Sequence, residues 1–256
     1  MQQESPKNVQ GAIELSFVCK VYPGLRDEAE AACSHLAELY STIPRSVCDN
    51  CGRCCSLTED EFVRGYVIMF PLYAVEYLNI VRFVLAHFAE LEQQRVFGSA
   101  DEHPMRCSFR DEQKRVCTIY RARPLICRVY GMLGEDDIQG ALKRHAEDVP
   151  ASWLNAFAEM ERSMYCPNVR IVDTSGLDDY LDRRARFAYS LQLEELSRQV
   201  HLLDAERQKA FSEIAGVQSI TRWTWGGYNR IVFSTLEWMQ TELAAHWPSF
   251  QLVRKT

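Results

Sequence analysis

Four cysteines lie within eight consecutive residues of this chain, in the segment CDNCGRCC at 48–55. Two thiolates separated by two residues can turn back onto one metal ion, and Gly52 suits such a turn because glycine adopts positive φ freely. Packing alone does not explain four thiols at this density. The segment, with Cys48, Cys51, Cys54 and Cys55, therefore predicts metal or redox chemistry.

The compartment decides how such cysteines are interpreted. The N-terminus, MQQESPKNVQ, has no basic segment followed by an apolar one, so a secretory signal is not expected. We expect a cytoplasmic protein, in a reducing environment where stable disulfides are rare. The same spacing then favours a metal site over a disulfide framework.

Four further cysteines extend the candidate set. Cys107, Cys117 and Cys127 are separated by nine residues each, and Cys166 follows. The eight thiols can form two four-thiolate sites, or one site with spare thiols. Cys54 and Cys55 are adjacent and are expected to diverge. That favours two metals, a polynuclear cluster, or one of the pair outside the coordination sphere.

The charge distribution supports this interpretation. The chain has a net charge of −6, whereas nucleic-acid binders usually carry a basic excess, so no nucleic-acid partner is expected. Residues 106–128 nevertheless carry seven basic and two acidic residues. Four thiolates on Zn²⁺ or a [4Fe–4S]²⁺ cluster leave a charge of about −2, which nearby cations would offset. Arg123 and Arg128 are the predicted supporting residues; a basic patch for an acidic partner or an anionic substrate is the alternative.

The apolar periodicity predicts a mainly α fold, with a helical shell around an irregular cysteine-rich metal-binding centre and few short strands. We expect one domain, 1–256, with a metal-binding core at 48–167 between helical segments. Helices are predicted at 25–39, 72–92, 121–131, 151–164, from 178 to about 215, and along Val232, Leu236, Met239 and Leu243; residues 13–21 are predicted to be a strand, and 48–55 a loop. Residues 101–135 are expected to be loops around the one short helix. In 72–92, Glu76, Asn79 and Arg82 recur on the polar side, so a membrane span is not expected.

Several motifs together resemble a known family. They are CxxCxxCC at 48–55, CSF at 107–109, CTIY at 117–120, RPLICRVY at 123–130 and YCP at 165–167. The set resembles the YkgJ-type zinc- or iron-chelating CxxCxxCC family, which includes proteins similar to the bacterial flagellin lysine N-methylase. The resemblance covers 48–167, just under half of the chain. It implies a bacterial cytoplasmic protein that binds zinc or an iron–sulfur cluster through these cysteines, and it fixes no reaction.

Three functional hypotheses follow. The first is an iron–sulfur protein, [4Fe–4S], with or without a second metal, which is preferred because the cysteines lack the paired spacing of a zinc ribbon. The second is a structural zinc module for protein interaction. The third is a cluster-dependent protein-modifying enzyme such as a lysine N-methylase. No protein partner or substrate can be named.

Other candidate ligands are set aside. Cys19 and Cys33 lie on apolar faces and are expected to be buried hydrophobes. His103 lies near Cys107, but enough thiols are available without it. These residues are therefore excluded from the predicted site.

Overall fold

The computed structural model describes residues 26–56, 58–60, 71–98, 106–199, 231–232 and 234–243. Most of these residues are helical. The helices are α1 (Arg26–Ser41), α2 (Ala74–His87), α3 (Glu90–Gly98), α4 (Leu125–Val129), α5 (Glu135–His145), α6 (Ala151–Ser163), α7 (Leu177–Ala185), α8 (Ala188–Arg198) and α9 (Thr235–Trp238). The mainly α prediction is therefore confirmed.

The strands are short and pair two by two. They are β1 (Ser46–Cys48), β2 (Leu72–Tyr73), β3 (Arg110–Asp111), β4 (Val116–Cys117), β5 (Val169–Ile171) and β6 (Ile231–Val232). β1 pairs with β5 and β3 with β4, both antiparallel, whereas β2 and β6 are parallel. Short 3₁₀ turns at Arg53–Cys55 and Tyr120–Ala122 complete the cysteine-bearing region.

The helices pack in two groups, and the arrangement of a helical shell around the cysteine-bearing region stays a prediction. In the first, α1, α2 and α8 pack together; in the second, α5, α6 and α7 do, and α7 contacts α8. The predicted stripe of α1 is buried, with Ala29, Ala32 and Leu36 each at most 1% exposed. Burial of such apolar stripes is the main source of stability for amphipathic helices.

A buried ion pair joins the helices of the second group. Arg184 of α7 donates from Nε to Oε1 of Glu161 on α6 at 2.8 Å. Both side chains are buried, 8% and 1% exposed. Each charge therefore depends on the other for compensation.

The structure corrects several predicted elements. The helix predicted at 72–92 is β2 followed by two helices, because Phe88 takes an extended backbone conformation between α2 and α3. In the last segment Val232 lies in β6, and α9 continues into a π-helical turn, Met239–Leu243. Leu236, predicted to be buried, is 46% exposed.

The remaining predictions have mixed outcomes. The helix at 151–164 is confirmed by α6. The helical stretch predicted from 178 to about 215 is confirmed by α7 and α8 as far as Arg198, and 200–215 lies outside the described residues. Helix α5 was not predicted. The segment 48–55 is not loop throughout, because Cys48 ends β1 and Arg53–Cys55 form a 3₁₀ turn. The short helix predicted at 121–131 is confirmed only over α4, because Pro124 is extended and Tyr120–Ala122 form a separate 3₁₀ turn. The β3–β4 hairpin was missed. The strand predicted at 13–21, together with Cys19 and His103, lies outside the described residues.

Candidate metal centre

All eight candidate cysteines line one cavity. They come from segments up to 118 residues apart and are Cys48, Cys51, Cys54, Cys55, Cys107, Cys117, Cys127 and Cys166. The cavity has a volume of about 70 Å³, well below the roughly 300–1,000 Å³ of typical small-molecule pockets. We refer to it as the cysteine cavity.

Strand pairing brings the first and last cysteines to the same wall. In the β1–β5 pair, Cys48 lies opposite Val169, three residues after Cys166. The backbone at Gly131 packs directly on Cys166, because a Cβ added to that glycine would lie 2.5 Å from the Cβ of Cys166. Gly131 also has a φ of +73°, so the position favours glycine on two independent grounds.

The turn after Cys51 places two adjacent thiols together. Gly52 has a φ of +85°, and the amide of Cys55 donates to its carbonyl at 2.9 Å. The Sγ atoms of Cys54 and Cys55 lie 3.9 Å apart. The expectation that these two side chains diverge is therefore wrong, and both line the cavity.

Backbone hydrogen bonds attach the next two cysteines to this turn. The amide of Cys107 donates to the carbonyl of Cys55 at 2.9 Å. The β3–β4 hairpin then pairs Arg110 with Cys117. Cys107 is thus held against the 48–55 segment by a main-chain hydrogen bond, and the hairpin holds Cys117 opposite Arg110.

A buried carboxylate orients the helix that carries Cys127. Oε1 of Glu76, on α2, accepts a hydrogen bond from the amide of Leu125 at 2.5 Å, and Oε2 accepts one from the amide of Tyr73 at 3.0 Å. The hydroxyl of Tyr40 also donates to Glu76. Since Leu125 begins α4, the Glu76 carboxylate satisfies an amide that the helix itself leaves without a partner.

Three arginines line the same cavity. Arg123 donates from Nη1 to the carbonyl of Cys127 at 3.4 Å, and Arg128 donates from Nε to the carbonyl of Arg123 at 2.8 Å. The third is Arg110, whose side chain is 5% exposed and donates from Nη2 to the carbonyl of Asn50 at 3.1 Å. The two arginines predicted from the sequence therefore lie beside the thiols; Arg110 was missed as a site residue, although it belongs to the basic run.

The environment differs among the thiols. The hydrogen bond from Cys55 lowers the pKa of Cys54 to about 7, and Arg123 and Arg110 act in the same direction. The same bond raises the pKa of Cys55, and burial raises the pKa values of Cys117 and Cys127. At neutral pH these four thiols do not all ionise without a compensating cation.

The donor set fits a thiophilic metal. Cysteine sulfur is the preferred ligand of zinc and of iron–sulfur clusters, and a metal deprotonates the thiols it binds. Among the described residues, no three histidine, cysteine, aspartate or glutamate side chains are placed to hold one ion together. The eight thiols thus suit a metal through the chemistry of sulfur and through their common cavity.

Cys33 is separate from this set. It is 3% exposed, on α1, and does not line the cysteine cavity. Its exclusion from the predicted ligands agrees with this position.

Glu76 had no sequence signal that marked it as a site residue, since its place on the polar side of a helix predicted exposure to solvent.

Comparison with known proteins gives one match. Residues 47–152 match the model of the CxxCxxCC family, which is described as "Putative zinc- or iron-chelating domain". The match includes seven of the eight candidate cysteines and ends before Cys166. No curated protein and no solved structure matches the chain.

In the described part of the chain, no helix combines the length and apolar character that a membrane span requires.

Proposed function

We propose that the cysteine cavity holds a [4Fe–4S] cluster, with or without a second metal. The premise is that residues 47–152 form a zinc- or iron-chelating domain of the CxxCxxCC family. The observation that carries the proposal is the gathering of eight thiols from distant segments around one small cavity. Thiolates are the usual ligands of such clusters. Cys48 and Cys51 are exposed and the other six are half-buried or buried.

The positive charge around the cavity supports an anionic thiolate centre. A [4Fe–4S]²⁺ cluster with four thiolates carries a charge of about −2, and hydrogen bonds and charges around the ligands tune its potential. Arg110, Arg123 and Arg128 line the cavity. Their guanidinium groups would offset that charge, while Arg123 and Arg128 also brace the backbone around Cys127.

The chain itself would do three things for the cluster. The thiols would bind the iron, Glu76 would orient α4 and hence Cys127, and the arginines would stabilise the negative charge. When bound, a cluster of this kind supplies one-electron transfer or a structural crosslink. The relationship to lysine N-methylases stays a prediction, since it rests on the sequence resemblance alone.

Zinc is the second candidate, because the description of the matched family names zinc and iron equally. A closed thiolate zinc site would contribute folding energy to a region that consists of short strands and turns. It would supply no redox chemistry.

The test is metal and sulfide analysis of protein purified without oxygen, with a visible absorption spectrum. We expect about four iron and four sulfide per chain and a broad band near 400 nm, as [4Fe–4S] proteins show. Cys127→Ala should lose most of this content. Cys33→Ala, which removes a buried thiol outside the cavity, is the matched control and should keep it.

A colourless protein with about one or two zinc ions per chain would reject the cluster and support the zinc site. Equal metal content in both variants would reject the assignment of the cysteine cavity as the metal centre.

A further inference from the structure

A second cavity lies between α1, α2 and the segment 120–128. Its volume is about 380 Å³, within the roughly 300–1,000 Å³ of small-molecule pockets. Three arginines from three elements line it: Arg82 of α2, Arg121 of the 3₁₀ turn and Arg128 of α4. We refer to this cavity as the arginine groove.

The charges in the groove are only partly compensated. Among the described residues, no aspartate or glutamate lines it, and neither Arg82 nor Arg121 forms an ion pair. Arg128 is engaged, since it donates from Nη2 to the carbonyl of Arg121 at 2.7 Å and lies over the ring of Tyr40 at 4.2 Å. Arg82 and Arg121 therefore line the groove without a carboxylate partner among the described residues.

Acidic groups near the groove act on other residues. Glu76 is buried behind Tyr40 and accepts its hydroxyl proton in a hydrogen bond, so it partly offsets Arg128. Glu30 lies one turn before Cys33 on α1. Burial raises the pKa of that thiol, Arg82 lowers it, and Glu30 raises it further. Neither carboxylate lines the groove.

The groove also has an ordered polar side and an apolar floor. Arg82 is half-buried, and its Nη2 donates to Oδ1 of Asn79 at 3.3 Å, which directs the guanidinium along α2. Leu36 and Tyr40, 1% and 8% exposed, line the floor. A ligand here would meet cationic donors above a closed floor that these two buried side chains form.

We propose that the arginine groove binds a small organic anion, with a carboxylate or phosphate group against Arg82 and Arg121. Guanidinium groups present paired N–H donors that match the geometry of both anionic groups. The proposal does not depend on metal in the cysteine cavity. Arg128 lines both cavities, so the bound anion would lie next to the wall of the cysteine cavity.

Isothermal titration of the purified full chain with phenyl phosphate, benzoate and uncharged benzyl alcohol tests the proposal. The two anions distinguish a phosphate from a carboxylate preference. At least one anion should bind, and benzyl alcohol should not. Arg82→Gln and Arg121→Gln should each weaken binding about tenfold to a hundredfold, as expected for the loss of a charge-assisted hydrogen bond.

Arg95→Gln is the matched control, because Arg95 is an exposed arginine of α3 outside the groove, 54% exposed; it should leave the affinity unchanged. The thermal unfolding midpoint and metal content of every variant are measured on the same samples, which separates this proposal from the metal assignment. The proposal is overturned if neither anion binds, if benzyl alcohol binds equally well, or if Arg82→Gln and Arg121→Gln both bind as the wild type does.

Discussion

Replacing Gly131 by alanine should damage both the fold and the metal centre, because this glycine packs on Cys166. The new Cβ would lie 2.5 Å from the Cβ of Cys166 and 3.2 Å from its backbone nitrogen. A backbone atom cannot move aside as the end of a flexible side chain can. The segment that carries Cys166 would therefore have to shift away from the cysteine cavity.

Two costs add up to the expected loss in free energy of unfolding of Gly131→Ala. A non-glycine residue at a φ of +73° costs about 1–3 kcal/mol. Overpacking in a dense region adds about 1–3 kcal/mol. We therefore expect Gly131→Ala to lower the free energy of unfolding by about 2–6 kcal/mol, together with a loss of bound metal.

Gly176→Ala is the matched control. Gly176 has a φ of +77°, and nothing lies within 4 Å of the added Cβ. This variant should show only the backbone cost and should keep its metal. Urea unfolding of the two variants and the wild type, with metal analysis, measures both effects. Equal losses of stability in the two variants would refute the packing argument.

Two further predictions concern charged pairs. Arg184→Met should lower the free energy of unfolding by about 3–5 kcal/mol, because it leaves the buried Glu161 without a partner. Arg183→Met on the same helix is the control and should lower it far less. Urea unfolding of both variants measures these changes, and equal losses of stability would contradict the prediction. Glu135 has its pKa lowered to about 2 by hydrogen bonds from Arg162, so the stability it contributes is fully present above its ordinary pKa of about 4.3 and is lost as the pH falls through 2. The pH dependence of stability between pH 5 and 2 should be weaker in Arg162→Gln, and an unchanged profile would contradict this assignment.

The sequence predicts elements whose signal is local. The stripe Ala29, Ala32 and Leu36 predicts α1, and Pro124 and Gly131 bracket α4 as expected. Periodicity describes one segment at a time. It therefore contains no information on which distant segments pair, and the β1–β5 contact between residues 46–48 and 169–171 could not be predicted.

In the candidate site, too, the local features could be predicted from the sequence, whereas the contacts between distant segments could not. The density of thiols identified the candidate cysteines, but their arrangement around one cavity depends on tertiary contacts. Glu76 shows why the rest was missed: its spacing with Asn79 and Arg82 predicts a solvated helix face. Instead Glu76 is 1% exposed, because α4 and Tyr40 cover it and donate hydrogen bonds to it. A polar residue on an amphipathic helix can thus be buried when another element brings donors to it.

Native mass spectrometry of the full chain, purified without oxygen, distinguishes a bound cluster from bound zinc and from a metal-free chain. We expect a main species heavier than the polypeptide by four iron and four sulfide, and the same species in Cys33→Ala but not in Cys127→Ala. A main species with the mass of the polypeptide alone, or with zinc in place of iron and sulfide, would contradict it.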